Sequence, residues 1–184
     1  IGVVEEDEAL HGDRIQPGDV LLAYESSGLH TNGYTLARRI VFDIMKLQLS
    51  DRLGDTGKSV ADALLAVHRS YSAAVMPIIS RIHGIAHITG GGIPGNLVRV
   101  LPPECEGVVE VRSWNWPELF QLLQRAGRVS TEEMRDVFNL GVGLIAVLPK
   151  DAVSAAQESA RAQGVPTWVL GEIRRGPTSV RFTG

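Results

Sequence analysis

An α+β domain, with helices packed on a sheet, is what this sequence predicts, and three observations carry the prediction. Short apolar runs bounded by turn residues mix with segments of helical period without the strict strand–helix alternation of a parallel α/β protein. The chain has 184 residues, 44% hydrophobic and 21% charged, which suits one folded domain with a sizeable core. No internal repeat or low-complexity tract divides it.

Taken in order, Ile1–Glu5 reads as a strand. Val20–Tyr24 is a buried strand entered through the turn Gln16-Pro17-Gly18-Asp19. A polar loop, residues 25–33, leads into a helix on which Ala37, Ile40, Val41 and Ile44 share a face, with Thr31 or Asn32 as N-cap. Residues 49–59 are a loop. Tyr71, Ala74, Val75, Ile78, Ile79 and Ile82 form a helical stripe that Pro77 should kink or divide. Ala86–Thr89 is a short strand ending in Gly90-Gly91-Gly92, with a short helix near Leu97–Val100. Gly107–Arg112 is a strand, Pro117 opens a helix, and Ser130-Thr131-Glu132-Glu133 is a capping box for the next. Val142–Leu148 is a strand, Asp151–Gln163 an Ala-rich helix, and Pro166–Ile173 and Ser179–Thr183 the last strands.

Two strand-to-helix junctions carry candidate chemistry. In Ser26-Ser27-Gly28-Leu29-His30-Thr31-Asn32-Gly33, backbone N–H groups and small hydroxyls favour an anion, and His30 titrates near neutral pH. The same residues also suit a capped helix start carrying an exposed His. His87-Ile88-Thr89-Gly90-Gly91-Gly92 lets backbone approach a ligand closely, or makes a tight turn. Phe138-Asn139-Leu140-Gly141-Val142-Gly143 has glycines at alternate positions, which suit close approach of another backbone or of a ligand, or simple packing. Gly54-Asp55-Thr56-Gly57-Lys58-Ser59 is no phosphate loop, because Arg52 stands where its first glycine belongs and no strand precedes it. Lys58 is therefore not expected to hold phosphate. Trp114 and Trp116 read as core or interface aromatics, and His11, His68 and His83 as surface residues. No His/Cys metal spacing and no Gly-x-Ser-x-Gly elbow is present.

Composition excludes several classes. A net charge of −3 argues against a basic nucleic-acid surface. No apolar run approaches the ~20 residues that span a bilayer. Cys105 is the one cysteine, so an intrachain disulfide is impossible and a reducing, cytoplasmic setting is expected. Its acidic neighbours Glu104 and Glu106 disfavour a thiolate nucleophile. A chain that starts without Met, inside a strand, reads as a piece of a longer protein.

The junction segments together resemble aminoimidazole ribonucleotide synthetase, the phosphoribosylformylglycinamidine cyclo-ligase family. The resemblance rests on residues 26–34, residues 87–92, Arg99-Val100-Leu101-Pro102 and residues 138–143, with lesser matches at Gly57-Lys58, Ala61-Asp62, Leu64-Leu65, Arg69 with Tyr71, and residues 114–120. It runs in order over nearly the whole chain. Ala66-Val67-His68 departs from the family's Pro-Thr pair. The resemblance implies a carboxy-terminal domain over 1–184, a helix–sheet–helix sandwich with ferredoxin-like elements. It implies that formylglycinamidine ribonucleotide and ATP become aminoimidazole ribonucleotide, ADP and phosphate, by phosphorylation of the formyl oxygen and ring closure by the amidine nitrogen. An amino-terminal domain would hold most of the ATP and Mg²⁺, and the full enzyme would be a homodimer without nucleic-acid or membrane partners. His30 is the catalytic candidate. Ser26, Ser27, Gly28, Asn32, Thr89, Gly90, Gly91, Gly92 and Asn139 are the substrate-binding candidates, and no metal ligand is expected. The competing readings are another member of the same ATP-binding superfamily, such as formylglycinamidine ribonucleotide synthetase, selenophosphate synthetase or thiamine-monophosphate kinase, and a non-catalytic interaction domain retaining the fold.

Overall fold

The computed structural model describes residues 3–184. Its six strands are β1 (Val20–Glu25), β2 (Gly84–His87), β3 (Cys105–Glu110), β4 (Val142–Leu148), β5 (Thr167–Arg175) and β6 (Ser179–Thr183). They form one sheet in the order β2-β4-β1-β5-β3-β6. Every pairing is antiparallel except β3 with β6. The α-helices are α1 (Tyr34–Arg38), α2 (Val60–Leu64), α3 (Ser72–Val75), α4 (Gly92–Leu97), α5 (Glu118–Gly127), α6 (Thr131–Val137) and α7 (Val153–Ala162).

Both faces of the central strands are covered, which is why β1 and β4 read as continuous apolar runs and not as alternating ones. Leu21 and Ala23 of β1 join Ile145 and Val147 of β4 under α4, whose Ile93 and Leu97 are buried against them. Leu22, Tyr24, Ala146 and Leu148 face the other way, toward Ala74 and Val75 of α3 and Ala152, Ala156 and Ala160 near and along α7. The small residues of that Ala-rich helix let it lie close to the sheet. A third cluster, around Phe120, Phe138 and Ile40, packs α1, α2, α5 and α6 together. The fold is thus α+β with helices on both faces of the sheet. Burying each large aliphatic side chain contributes about 1.5–3 kcal/mol.

Most elements lie where the pattern puts them, and the departures have physical reasons. Of the Ile1–Glu5 strand, residues 1 and 2 lie outside the described residues, while Val3–Glu5 is irregular and leads into a 3₁₀ turn at Glu6–Glu8. The first helical segment is α-helical only to Arg38. Arg39–Ile44 widens into a π-turn, with the Met45 N–H donating to the Ile40 carbonyl at 2.8 Å. The wider winding turns Ile44 off the shared face, leaving it 50% exposed. Neither Thr31 nor Asn32 caps this helix: the N-cap is Gly33 in a left-handed conformation, without a side-chain cap bond. Pro77 marks a boundary, since α3 ends at Val75 and a 3₁₀ turn runs from Met76 to Arg81. The short helix after the triple glycine starts earlier than expected, at Gly92, and becomes 3₁₀ at Val98–Val100. Helix α2 follows the loop at 49–59 and is capped by Ser59, whose Oγ accepts from the Asp62 N–H at 3.1 Å. Of the expected capping box, the Ser130 half forms, with Ser130 Oγ accepting from the Glu133 N–H at 3.1 Å.

Cys105 is buried, and burial together with Asp19 and Glu104 pushes its thiol pKa up. Trp114 packs at the edge of the α4-side core and donates from its indole to the Leu140 carbonyl at 3.0 Å. Among the described residues, no helix is long and apolar enough to cross a membrane.

Candidate functional site

Antiparallel pairing brings three loops to one end of the sheet. Glu25, the last residue of β1, pairs with Val142, the first of β4, and His87, the last of β2, pairs with Leu144. The loop after β1, the loop after β2 and the loop before β4 therefore meet, and these are the three segments that stand out in the sequence.

Asn139 and Ser26 staple the first loop to the third. Ser26 Oγ donates to Asn139 Oδ1 at 2.9 Å, Asn139 Nδ2 donates to the Gly28 carbonyl at 2.7 Å, and the Gly141 N–H donates to Asn139 Oδ1 at 2.8 Å. Both side chains are buried, and every polar group on them is engaged within the protein. Asn32 joins the first loop to the end of α6, donating to the Val137 carbonyl at 2.7 Å. The triple-glycine turn is held from within by Asn96, whose Nδ2 donates to the carbonyls of Thr89, Gly90 and Gly92. Gly92 has φ +57°, and a β-carbon there would lie 1.7 Å from the Arg135 carbonyl oxygen. This glycine is needed for the turn to pack on α6.

His30 is 2% exposed, not a solvent-facing residue at a helix start. Its Nε2 accepts from the Ser27 N–H at 3.0 Å, and Nδ1 is buried without a hydrogen-bond partner. Burial lowers its pKa to about 4, aided by the nearby charges of His68, His87 and Arg69. Only about one ring in a thousand is protonated at pH 7, so His30 acts as a neutral imidazole. The space for its ring exists because residue 143 is glycine: a β-carbon there would fall 1.9 Å from the Tyr71 hydroxyl and 2.7 Å from His30 Cε1. Tyr71 in turn donates to the Glu25 carbonyl at 2.8 Å, and burial raises its pKa.

Backbone strain collects here as well. His30 (φ +53°) and the β-branched Thr31 (φ +60°) are consecutive left-handed residues, and Leu140 (φ +53°) is a third. Each costs on the order of 1–3 kcal/mol and persists only where packing imposes it.

Sequence spacing did not reveal the remaining partners. His68, expected at the surface, stacks on His30 with ring centroids 4.0 Å apart and planes at 16°. Its Nε2 lies 3.0 Å from His87 Nε2. Ring nitrogens of His30, His68 and His87, one from each, all fall within 4.8 Å of one another, although the sequence shows no metal spacing. The one signal in the sequence was the departure at Ala66-Val67-His68. Burial and the His68 charge lower the pKa of His87. His83, also expected at the surface, is partly buried and bonded to Asp19 at the opposite end of the sheet, while His11 is exposed.

Beside the staple lies a cavity of about 350 Å³ lined by residues that include Ser27, Gly28, Lys58, Arg69 and Phe120. Residues 54–59 form no phosphate loop, yet their turn, closed by the Leu53 N–H on the Lys58 carbonyl, delivers Lys58 to this cavity. Arg69 is held only by 3.5 Å contacts to Glu25 and the Gly164 carbonyl. The carboxylates lining the cavity are both paired, Glu25 with Arg69 and Glu118 with Arg125. They offer no free pair of oxygens of the kind that holds Mg²⁺ beside phosphates, so the residues present do not fit a Mg²⁺ site. The two cations fit an anion.

This arrangement, three loops meeting at one end of a mixed six-stranded sheet, defines a fold shared with several solved structures. Thiamine-monophosphate kinase from Stenotrophomonas maltophilia K279a superposes with a TM-score of 0.68 at 18% identity, over 98% of this chain and 55% of that one. PurL from T. maritima, complexed with AMPPCP, gives 0.57 at 14% identity, over 99% of this chain and 26% of that one. At such identities the likeness is one of fold. Residues 16–183 match the family described as AIR synthase related protein, C-terminal domain, and the chain belongs to that family. It is 46% identical over 177 residues to the phosphoribosylformylglycinamidine cyclo-ligase of Sorangium cellulosum (strain So ce56), covering 94% of this chain and 51% of that protein. It is 41% identical over 177 residues to the protein of the same name from Geotalea daltonii, covering 95% and 51%. The chain spans about half the length of these curated relatives.

Proposed function

We propose that this chain is the substrate-side, carboxy-terminal half of a cyclo-ligase that converts formylglycinamidine ribonucleotide into aminoimidazole ribonucleotide at the expense of ATP, in purine biosynthesis. The observation that carries the reading is the neutral, buried His30 set on a strained loop beside a cation-lined cavity. The 41% and 46% identities to proteins of that name support it.

In this reading Lys58 and Arg69 hold the ribonucleotide phosphate, with the Ser27–Gly28 backbone forming the wall. Such charge-assisted contacts contribute about 1.5–3 kcal/mol each. Assigning Lys58 to phosphate revises the expectation from its loop alone. His30 is a neutral imidazole at neutral pH, so its task is to orient the amidine or formyl group by hydrogen bonding, and the low pKa disfavours proton shuttling. The Thr89–Gly92 turn does not line the cavity; it backs the first loop, with Gly90 packed against Asn32. Asn139, Ser26 and Asn32 position the loops. ATP and Mg²⁺ belong to an amino-terminal half, and Leu65 and Val67, 75% and 86% exposed beside the site, suit cover by that half or by a second subunit of a dimer. The cytoplasm, where the purine pathway runs, is the matching location.

The test is a steady-state assay of the enzyme carrying this chain together with its amino-terminal half. His30→Ala should lower turnover by roughly 10²-fold, the cost of misplacing a reacting group, and Lys58→Ala should raise KM for the ribonucleotide while leaving kcat nearly unchanged. Near-normal turnover of the His30 variant would overturn the assignment. The 184-residue chain alone should bind the ribonucleotide but hydrolyse no ATP. Substrate-dependent ATP hydrolysis by it would place the nucleotide site in this half.

A further inference from the structure

We infer that His30, His68 and His87 form a binding site for one divalent transition-metal ion of the Zn²⁺ class. The inference does not depend on the cyclo-ligase reading, because it rests on ligand geometry alone.

Three features point to it. The three ring nitrogens lie within 4.8 Å of one another. His68 and His87 face each other through Nε2 at 3.0 Å, and imidazole nitrogens at that distance must share either a proton or a cation. A tetrahedral ion with bonds of 2.0–2.1 Å holds its nitrogen ligands roughly 3.3 Å apart, so the pair needs to open by only a few tenths of an ångström. The third feature is His30 Nδ1, buried without a partner on a side chain that is almost wholly enclosed; it carries the ring proton while Nε2 accepts from the Ser27 N–H, and coordination moves that proton to Nε2, where Ser27 Oγ, 3.1 Å away and donating its own proton to the Val67 carbonyl, can accept it. Orphaned buried nitrogens are rare and call for a ligand or a role.

The surroundings prepare His68 as a ligand. Thr31 Oγ1 gives its own proton to the His30 carbonyl at 2.6 Å and so can only accept from His68 Nδ1, 3.5 Å away. A proton kept on Nδ1 leaves the Nε2 lone pair free, which is the usual way an outer hydrogen bond sets a metal-binding tautomer. The stacked rings of His30 and His68 must rotate apart for both to coordinate. His68 can do this, being half-buried on a segment, residues 65–71, outside any helix or strand. His87 is exposed, so the fourth position opens to water. Imidazoles without a carboxylate among them select Zn²⁺, Co²⁺, Ni²⁺ or Cu²⁺ over Mg²⁺ and Ca²⁺.

Co²⁺ is the probe. Titrated into the chelator-stripped chain, it should bind one ion per chain and develop the visible absorption of a low-coordinate site. Zn²⁺ should displace it, and excess Mg²⁺ should not. His68→Thr and His87→Ala change residues that are not fully buried. Each should keep the circular dichroism of the parent and weaken Co²⁺ binding by roughly 100-fold or more, given that even outer-sphere losses cost 10–100-fold. His11→Ala, at an exposed histidine, should bind as the parent does. No saturable binding, or equal binding by the parent and both variants, would overturn the inference. Since binding is read by absorption, its failure would leave the cyclo-ligase reading standing, and loss of turnover in His30→Ala alone would leave this inference standing.

Discussion

The two ends of the sheet treat the same residue type in opposite ways. At the end where β1 begins, His83 Nδ1 bonds the buried Asp19 carboxylate at 2.7 Å, and Asp19 also accepts from the Gln16 N–H at 3.0 Å. Arg14 ties the same region down through the Ser80 and Ile82 carbonyls. At the end where β1 finishes, three histidines face one another, one buried nitrogen has no partner, and three non-glycine residues sit at positive φ. One end has its polar groups mated, although Glu104 beside it sits at φ +61°. The other stores strain and unmatched donors, which packing around it must hold in place. The contrast separates residues kept for stability from residues available for binding.

Breaking the mated end should have the largest effect. Asp19→Ala leaves His83 and the Gln16 N–H without their buried partner, and about 1–3 kcal/mol of stability should be lost for each in a denaturant titration. A loss under 1 kcal/mol would erase the distinction between the ends.

Acid should act mainly through the other end. The His30 pKa falls from 6.5 in the unfolded chain to about 4 in the folded one. The unfolded state therefore takes up more protons in between, and the stabilisation, complete above pH 6.5, is lost as pH falls toward 4. The full drop is roughly 3 kcal/mol. Melting curves with chelator present should show it in the parent, and His30→Gln should flatten the slope over that window.

Gly143→Ala places a methyl group on the Tyr71 hydroxyl and the His30 ring. Overpacking of this kind should cost about 1–3 kcal/mol and shift the His30 ring resonances. Unchanged resonances would mean that His30 is not seated against β4.

The smallest effect runs in the opposite direction. Thr31→Gly relieves a β-branched residue at φ +60° and should raise stability by about 1 kcal/mol, while turnover of the whole enzyme falls as the loop loosens. A variant that is both more stable and fully active would show that the strain has no role in the site.

Local pattern was sufficient for much of this molecule. The bounds of β4 and β6, the Ser130 cap and the break at Pro77 were legible because each depends on a few adjacent residues: an apolar run, a hydroxyl three positions before an acid, a missing N–H. The three loops of the site were legible for the same reason, since glycine runs beside small polar residues mark backbone that must turn tightly. The π-turn at Arg39–Ile44 was not, because winding one residue wider leaves the local apolar spacing nearly unchanged. The placements of Lys58 and His68 were also hidden. Lys58 sits on a loop that resembles a phosphate site and is not one, and it reaches the cavity only because α2 and the preceding turn fold back beside β1. His68 lies 38 residues from His30 and 19 from His87; antiparallel pairing of β1 and β2 with β4 brings His30 and His87 together, and the bonds of Val67 and Tyr71 to Ser27 and Glu25 bring His68 to them. The sequence by itself determined most of the strands and helices and where the backbone must bend, the amino-terminal strand and α2 excepted, because short-range sterics and hydrogen bonding decide those. Only the tertiary structure decided which histidines are buried, neutral and adjacent, because burial and charge at a site depend on chain segments far apart in sequence.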